Sequence, residues 1–372
     1  MKSNRLLSLD ALRGFDMLMI MGFGPLMINL CIALGWGSDC ALAQQFTHVK
    51  WHGLRFEDTI FPLFLFLAGV SWPFSLASRR ARGDTTAAIL RKIASRCAAL
   101  MFLGFVYNGL LKFDFAHMCW GPVLTRIGIA WAVAATLSVL VGLRGRIAIA
   151  VTILLAYWAI CVFVTAPDAA AGLDPLSMKG CFAGWVDRML MPGRLTQPGI
   201  IANQGILSTF PAVVTAMLGV FAGEFLRRED LTGERKAAGL ALGAAGLVCA
   251  GLLVAFGCGR YSMPHNKILW STSFTLTVGG YSAAMLSLFY WLIDVKGWWK
   301  RTLFFRVIGM NSITIYMAQW LIPFKAVSER VFGGVAGLFG GAWSAVVLSV
   351  GYVTLCWLLL YFLYRKNTFL KV

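Results

Sequence analysis

Unbroken apolar runs long enough to cross a bilayer recur along the whole chain, near residues 14–36, 58–78, 97–112, 122–143, 147–165, 206–226, 237–258, 270–293, 303–323 and 341–364. A helix crossing about 30 Å of hydrocarbon needs about 20 such residues, so each run is an expected span. Membrane strands alternate over about 10 residues, whereas these runs are continuous and rich in Leu, Ala and Gly. Composition agrees: 59% of the 372 residues are apolar, 13% are charged, and the mean hydropathy is +0.74, against about 45–50% and about 25% for soluble domains. The expected fold class is therefore all-α, a polytopic integral membrane protein of about ten transmembrane helices in one domain over residues 1–372. The opening MKSNRLLSLDALRGFDMLMI has no small-residue cleavage site and too long an apolar run for a signal peptide, and reads as a retained first helix.

The net charge of +17 is explained by topology rather than by nucleic acid. With a cytoplasmic amino terminus, most of the basic residues fall on the cytoplasmic side, among them Arg79, Arg80, Arg82, Arg91, Lys92, Arg96, Arg227, Arg228, Lys300 and Arg301, as the positive-inside rule requires. Both termini are then cytoplasmic. The same assignment places all four histidines, His48, His52, His117 and His265, at outer helix ends or in outer loops. Cys40, Cys119, Cys181 and Cys258 lie near the outer side, where a Cys119–Cys181 disulfide is one open pairing. The other five cysteines read as small buried apolar residues. No CxxC or HExxH spacing is present, and no metal is expected.

Two outer loops, about 37–57 and 166–205, exceed simple connectors and are expected to cover an outward cavity. The first carries FTHVKWHGLRFEDTIFPLFLFL (46–67), with His48, Trp51, His52, Glu57 and Asp58 at the start of an apolar run. Each has a plain structural reading. Asp58 suits a helix start, where a carboxylate meets free backbone N–H groups. Trp51 suits an interfacial belt. His48 and His52, four apart, share a face if the segment is helical. Gly22, Gly24, Gly279 and Gly280 are expected to interrupt helices, and GVFAGE (219–224) to permit close helix contact, with a homodimer as the expected assembly.

The runs SLDALRGFDMLMI (8–20) and HVKWHGLRFEDTIFPLFLFLAGVS (48–71) resemble a family of transmembrane acyltransferases, the heparan-alpha-glucosaminide N-acetyltransferases and their bacterial relatives of N-acetylglucosamine utilisation. The likeness continues, in order, through LTRIGIAW (124–131), VDRMLM (186–191), GILSTFPAVVTAMLGVFAGE (205–224), HNKILWSTSF (265–274), VIGMNSITIY (307–316) and YRKNTFLKV (364–372).

What the resemblance implies is an inner-membrane, multi-pass enzyme of amino-sugar metabolism, moving acetyl from acetyl-CoA to the amino group of a glucosamine-type sugar or glycan terminus. His48 occupies the position of the family's essential histidine and is the expected general base, with Asp58 orienting it. Direct attack of the amine on the thioester is expected rather than an acetyl-histidine. Trp51, His52, Asn266, Lys267, Trp270 and Ser271 are the expected sugar-binding residues, and Arg13, Arg5, Asp10, Arg126 and Asn311 the expected contacts of acetyl-CoA. The chain departs from the pattern at Gln204, where the family has a glutamate, and at Gly24, where the lysosomal enzyme has an asparagine. The rival readings are a permease for an N-acetylglucosamine-type sugar, which needs neither His48 nor acetyl-CoA, and an O-acyltransferase acting on a cell-envelope glycan.

Overall fold

The computed structural model describes residues 6–369. Its helices are α1 (Leu7–Leu18), α2 (Gly24–Ala33), α3 (Ala41–Gln45), α4 (Phe56–Ala81), α5 (Thr86–Tyr107), α6 (Val123–Leu140), α7 (Leu143–Phe163), α8 (Phe182–Leu190), α9 (Thr209–Leu226), α10 (Gly233–Leu252), α11 (Thr272–Tyr290), α12 (Leu303–Met310), α13 (Ser312–Leu321), α14 (Phe324–Phe339) and α15 (Gly341–Arg365). Among the described residues, only isolated bridges join extended segments. Among the described residues, eight helical segments are long and apolar enough to cross a membrane. The protein is an all-α, multi-pass membrane protein.

The other two of the ten runs are helical but differ from the expected spans. Helix α5 begins at Thr86, well before the run at 97–112, because Thr85 caps it by accepting from the Ala88 N–H. Ile89, Ile93 and Leu100 form its buried stripe, while Arg91 and Lys92 stay exposed. The run at 303–323 is broken at Asn311 between α12 and α13. Ile322 is extended before Pro323, as a residue preceding proline prefers, and α14 follows. Charges at Lys325, Glu329 and Arg330 hide that helix from an apolar-run reading.

Helix α4 is the central post. Phe61, Leu65, Ala68 and Trp72 pack into one core with Ile127, Trp131 and Ala134 of α6, Val213, Met217 and Val220 of α9, and Phe274 of α11. Lipid tails are as apolar as these side chains, so close van der Waals packing holds such helices together. At the α4–α9 crossing a Cβ on Gly219 would lie 2.0 Å from the Phe66 carbonyl oxygen, and one on Gly223 would lie 2.3 Å from that of Val70. The glycine face of GVFAGE is thus occupied inside the chain. Gly22 (φ 117°) does interrupt the first span, within a π turn at Met19–Phe23. Gly279 and Gly280, by contrast, lie inside uninterrupted α11, where Gly280 admits the α10 backbone. All nine cysteines, Cys119 and Cys181 included, are free thiols.

Candidate active site

The alternating course of the helices returns the start of α4, the 108–122 connection, the 164–208 connection and the start of α11 to one end of the bundle. There the segment 46–55 is irregular, so His48 and His52 do not share a helix face. Each instead meets a different part of HNKILWS. The two segments are joined by the Gly53 N–H, which donates to the His265 carbonyl at 2.8 Å.

His48 Nδ1 lies 2.9 Å from Asp58 Oδ1. Lys267 Nζ lies 3.2 Å from the same nitrogen and 3.4 Å from Asp58 Oδ1. Asp58 is buried, with its side chain 2% exposed, whereas that of His48 is 59% exposed. The other carboxylate oxygen, Oδ2, accepts the Arg55 N–H at 3.2 Å and the Val49 N–H at 3.5 Å. The helix-start role and the histidine partner therefore coexist on one side chain, one oxygen for each. Nδ1 either donates to Asp58 or accepts from Lys267. With a proton on Nδ1 donated to the buried carboxylate, the lone pair falls on Nε2, in a side chain that is largely exposed. Burial pushes the Lys267 ammonium below the ordinary lysine value, with Asp58 and Glu57 pulling the other way.

Around this cluster the other expected residues fall into two groups. Asn266 Nδ2 is 3.5 Å from His52 Nδ1, and burial pushes the His52 imidazole below the ordinary histidine value. Trp51 donates its indole N–H to the Leu176 carbonyl at 2.9 Å and packs against the buried cluster of Cys181, Ala183, Ile201 and Leu269. Ser271 caps α11, its hydroxyl accepting from the Phe274 N–H at 3.2 Å and from the Asn266 N–H at 3.1 Å. Trp270 holds a positive φ of 52°, is fully buried, and donates to Thr215 Oγ1 at 3.1 Å. Trp270 and Ser271 thus fix the shape of the segment that delivers Lys267 and Asn266.

Arg126 joins this end of the molecule. Its guanidinium sits 5.1 Å from the Trp270 ring centroid and donates to the Gly205 carbonyl at 3.2 Å and to the Ser208 hydroxyl. Arg13, Asp10 and Asn311 lie toward the opposite end. Arg13 donates to Ser71 Oγ at 2.7 Å, and Arg96 lies in the electrostatic field of both Arg13 and Arg79. Asp10 lines a cavity of about 490 Å³ with Arg306, Tyr364 and Arg365. Asn311 donates to the Thr368 carbonyl at 3.2 Å. Arg5 lies outside the described residues. A second cavity at this end, about 600 Å³, is lined by Arg80, Arg146, Glu224 and Arg227.

Sequence reasoning assigned no role to Asp187, in the VDRMLM block. It is buried, and its carboxylate accepts the Ile206 N–H at 2.9 Å and the Ala202 N–H at 3.2 Å, tying the second long loop to the segment that leads into α9. Burial pushes this carboxyl up, while those two N–H donors and Arg126 hold it down. Gly205 must be glycine, since a Cβ there would lie 2.1 Å from Asp187 Oδ2. Arg188 grips Asp168 at 2.8 and 2.6 Å and closes the same loop. The carboxylate followed by arginine in a short amphipathic helix was the available signal.

No family model matches the chain. It is similar to heparan-alpha-glucosaminide N-acetyltransferase of Homo sapiens, at 27% identity over 99% of this chain and 60% of the relative. To the Mus musculus protein of the same name it is 26% identical over 100% of this chain and 61% of the relative. The resemblance seen in ordered motifs therefore runs through nearly the whole chain, which spans about 60% of the length of the curated relatives it matches.

Proposed function

We propose that the chain is a membrane-bound acetyltransferase that moves an acetyl group from acetyl-CoA to the amino group of a glucosamine-type sugar. The observation that carries the reading is the Asp58–His48 pair, with Lys267 beside it, together with similarity to two proteins named for that activity. A neutral imidazole whose Nδ1 proton is held by a buried carboxylate presents Nε2 as a base, the arrangement in which a carboxylate fixes tautomer and stabilises the cation that forms. The amine nitrogen gives its proton to Nε2 as it attacks the thioester carbon. On this reading Lys267 and Asn266 meet the carbonyl oxygen or the sugar hydroxyls.

The donor's phosphates belong at the opposite, arginine-bearing end, where Arg13 is the foremost contact and Arg79 and Arg96 add positive field. On the positive-inside assignment that end is cytoplasmic and the His48 end outward, in the inner membrane, so transfer joins a cytoplasmic donor to an outward acceptor. Asp10 and Asn311 belong to the same end, whereas Arg126 supports the acceptor side through Trp270.

Saturable binding of acetyl-CoA to the purified protein, followed by acetylation of glucosamine, tests the reading. A sugar permease predicts neither.

A further inference from the structure

The cavity of about 600 Å³ at the arginine-bearing end lies between the end of α4, the α6–α7 turn, the start of α7 and the end of α9. Arg146 of α7 donates to both carboxylate oxygens of Glu224 on α9, at 2.8 and 3.1 Å. The Arg146 side chain is 9% exposed, its guanidinium sits 5.5 Å from the Phe221 ring centroid, and its Nε is buried without a hydrogen-bond partner. Among the described residues that line the cavity, Glu224 is the one carboxylate, and it is matched to Arg146. Arg80 and Arg227 remain as two exposed cations that nothing in the lining compensates.

One wall of the cavity is apolar and leads toward lipid. Leu140, Val141 and Gly142 of the α6–α7 turn line it, and the chain then enters α7, where Leu143, Ile147, Val151 and Leu155 are all exposed. Spaced four apart, these side chains form a stripe along one face of the helix, while Arg146 and Ala150 are buried on the other. Cations at the helix ends and an apolar stripe beside them match the two halves of a phospholipid. On the positive-inside assignment this end is cytoplasmic. Anionic lipids concentrate in that leaflet, and basic pockets between transmembrane helices there take their headgroups.

We propose that this cavity binds the phosphate headgroup of an anionic phospholipid. Arg80 and Arg227 meet the phosphate oxygens, each with a planar fork that can donate two parallel hydrogen bonds. Arg146, held by Glu224, fixes α7 against α9 beneath them, and an acyl chain lies along the α7 stripe. The bound lipid thereby ties the exposed outer face of α7 to the ends of α4 and α9. Arg13, the expected donor contact, is fixed against Ser71 and the Leu67 carbonyl and does not line this cavity. The lipid site holds whichever reaction the His48 end performs.

The test uses the full chain, delipidated in neutral detergent, and reads melting temperature and lipid adducts retained in native mass spectrometry. Phosphatidylglycerol is expected to bind and to raise the melting temperature, and phosphatidylcholine to do neither. Arg80→Gln combined with Arg227→Gln is expected to weaken phosphatidylglycerol binding roughly tenfold or more, with the melting temperature in phosphatidylcholine unchanged. Arg227→Gln alone serves if the double variant does not fold. Arg91→Gln combined with Lys92→Gln removes exposed cations of α5 that do not line the cavity, and is expected to bind phosphatidylglycerol as the wild type does. No binding to the wild type, equal affinity in the Arg80 and Arg227 variant, or an equal loss in the α5 variant overturns the proposal. Inorganic phosphate and acetyl-CoA are tested in parallel. Stabilisation by either that exceeds that of phosphatidylglycerol, and that the Arg80 and Arg227 variant loses, would give the cavity to a soluble phosphate and overturn the lipid.

Discussion

Lys267, delivered by the segment before α11, reaches Asp58 Oδ1 at 3.4 Å, the same oxygen that His48 Nδ1 meets at 2.9 Å. The carboxylate at the start of α4 is therefore shared between a cation and an imidazole. Burial lowers the Lys267 value and the nearby carboxylates only partly oppose it. As pH rises the ammonium loses its proton earlier than an ordinary lysine at about 10.5, and Asp58 loses its cationic partner. The alkaline limb of the transfer rate is expected below that value, and Lys267→Arg, whose charge persists, is expected to move it upward. A limb unchanged in Lys267→Arg would detach Lys267 from the chemistry.

Asp58→Asn keeps a polar group at the α4 start but removes the charge that holds the His48 Nδ1 proton. Transfer is expected to fall roughly a hundredfold or more, with a stability loss of only about 1–2 kcal/mol from the weakened cap. Parallel thermal melts and initial rates separate the two effects.

Much of this was legible before any coordinates. Eight of the ten apolar runs coincide with helices long and apolar enough to cross a membrane, and His48 with Asp58 stood ten residues apart beside a helix start. What sequence could not show was pairing across the chain. His52 belongs with Asn266 rather than with His48, because 46–55 is irregular and a helical spacing rule does not apply. The break at Asn311 and the early start of α5 escaped for a related reason: local capping and packing set them, not apolar run length. Arg80, Arg146, Glu224 and Arg227 stayed unconnected because they belong to three helices and meet only once the bundle is packed.

Gly205→Ala would push a methyl group into the Asp187 carboxylate. The strain is expected to cost roughly 1–3 kcal/mol, read as a lower melting temperature. Activity per folded molecule is expected to drop too, because the second long loop loses its anchor beside the site. An unaffected melting temperature would show that the loop yields freely.

Arg13→Ala is expected to weaken acetyl-CoA binding roughly tenfold or more, since a charge-assisted contact contributes about 1.5–3 kcal/mol. Titration calorimetry on the purified protein measures it. Unchanged affinity would leave Arg13 with a structural role.

The central claim is that His48 takes the amine proton, and His48→Ala tests it most directly. Acetyl transfer from acetyl-CoA to glucosamine, measured per folded molecule, is expected to fall roughly a hundredfold or more, while acetyl-CoA affinity and melting temperature stay near wild type, because the imidazole is largely exposed and supports little packing. His52→Ala is expected to lose less. Transfer by His48→Ala at the wild-type rate would contradict the account.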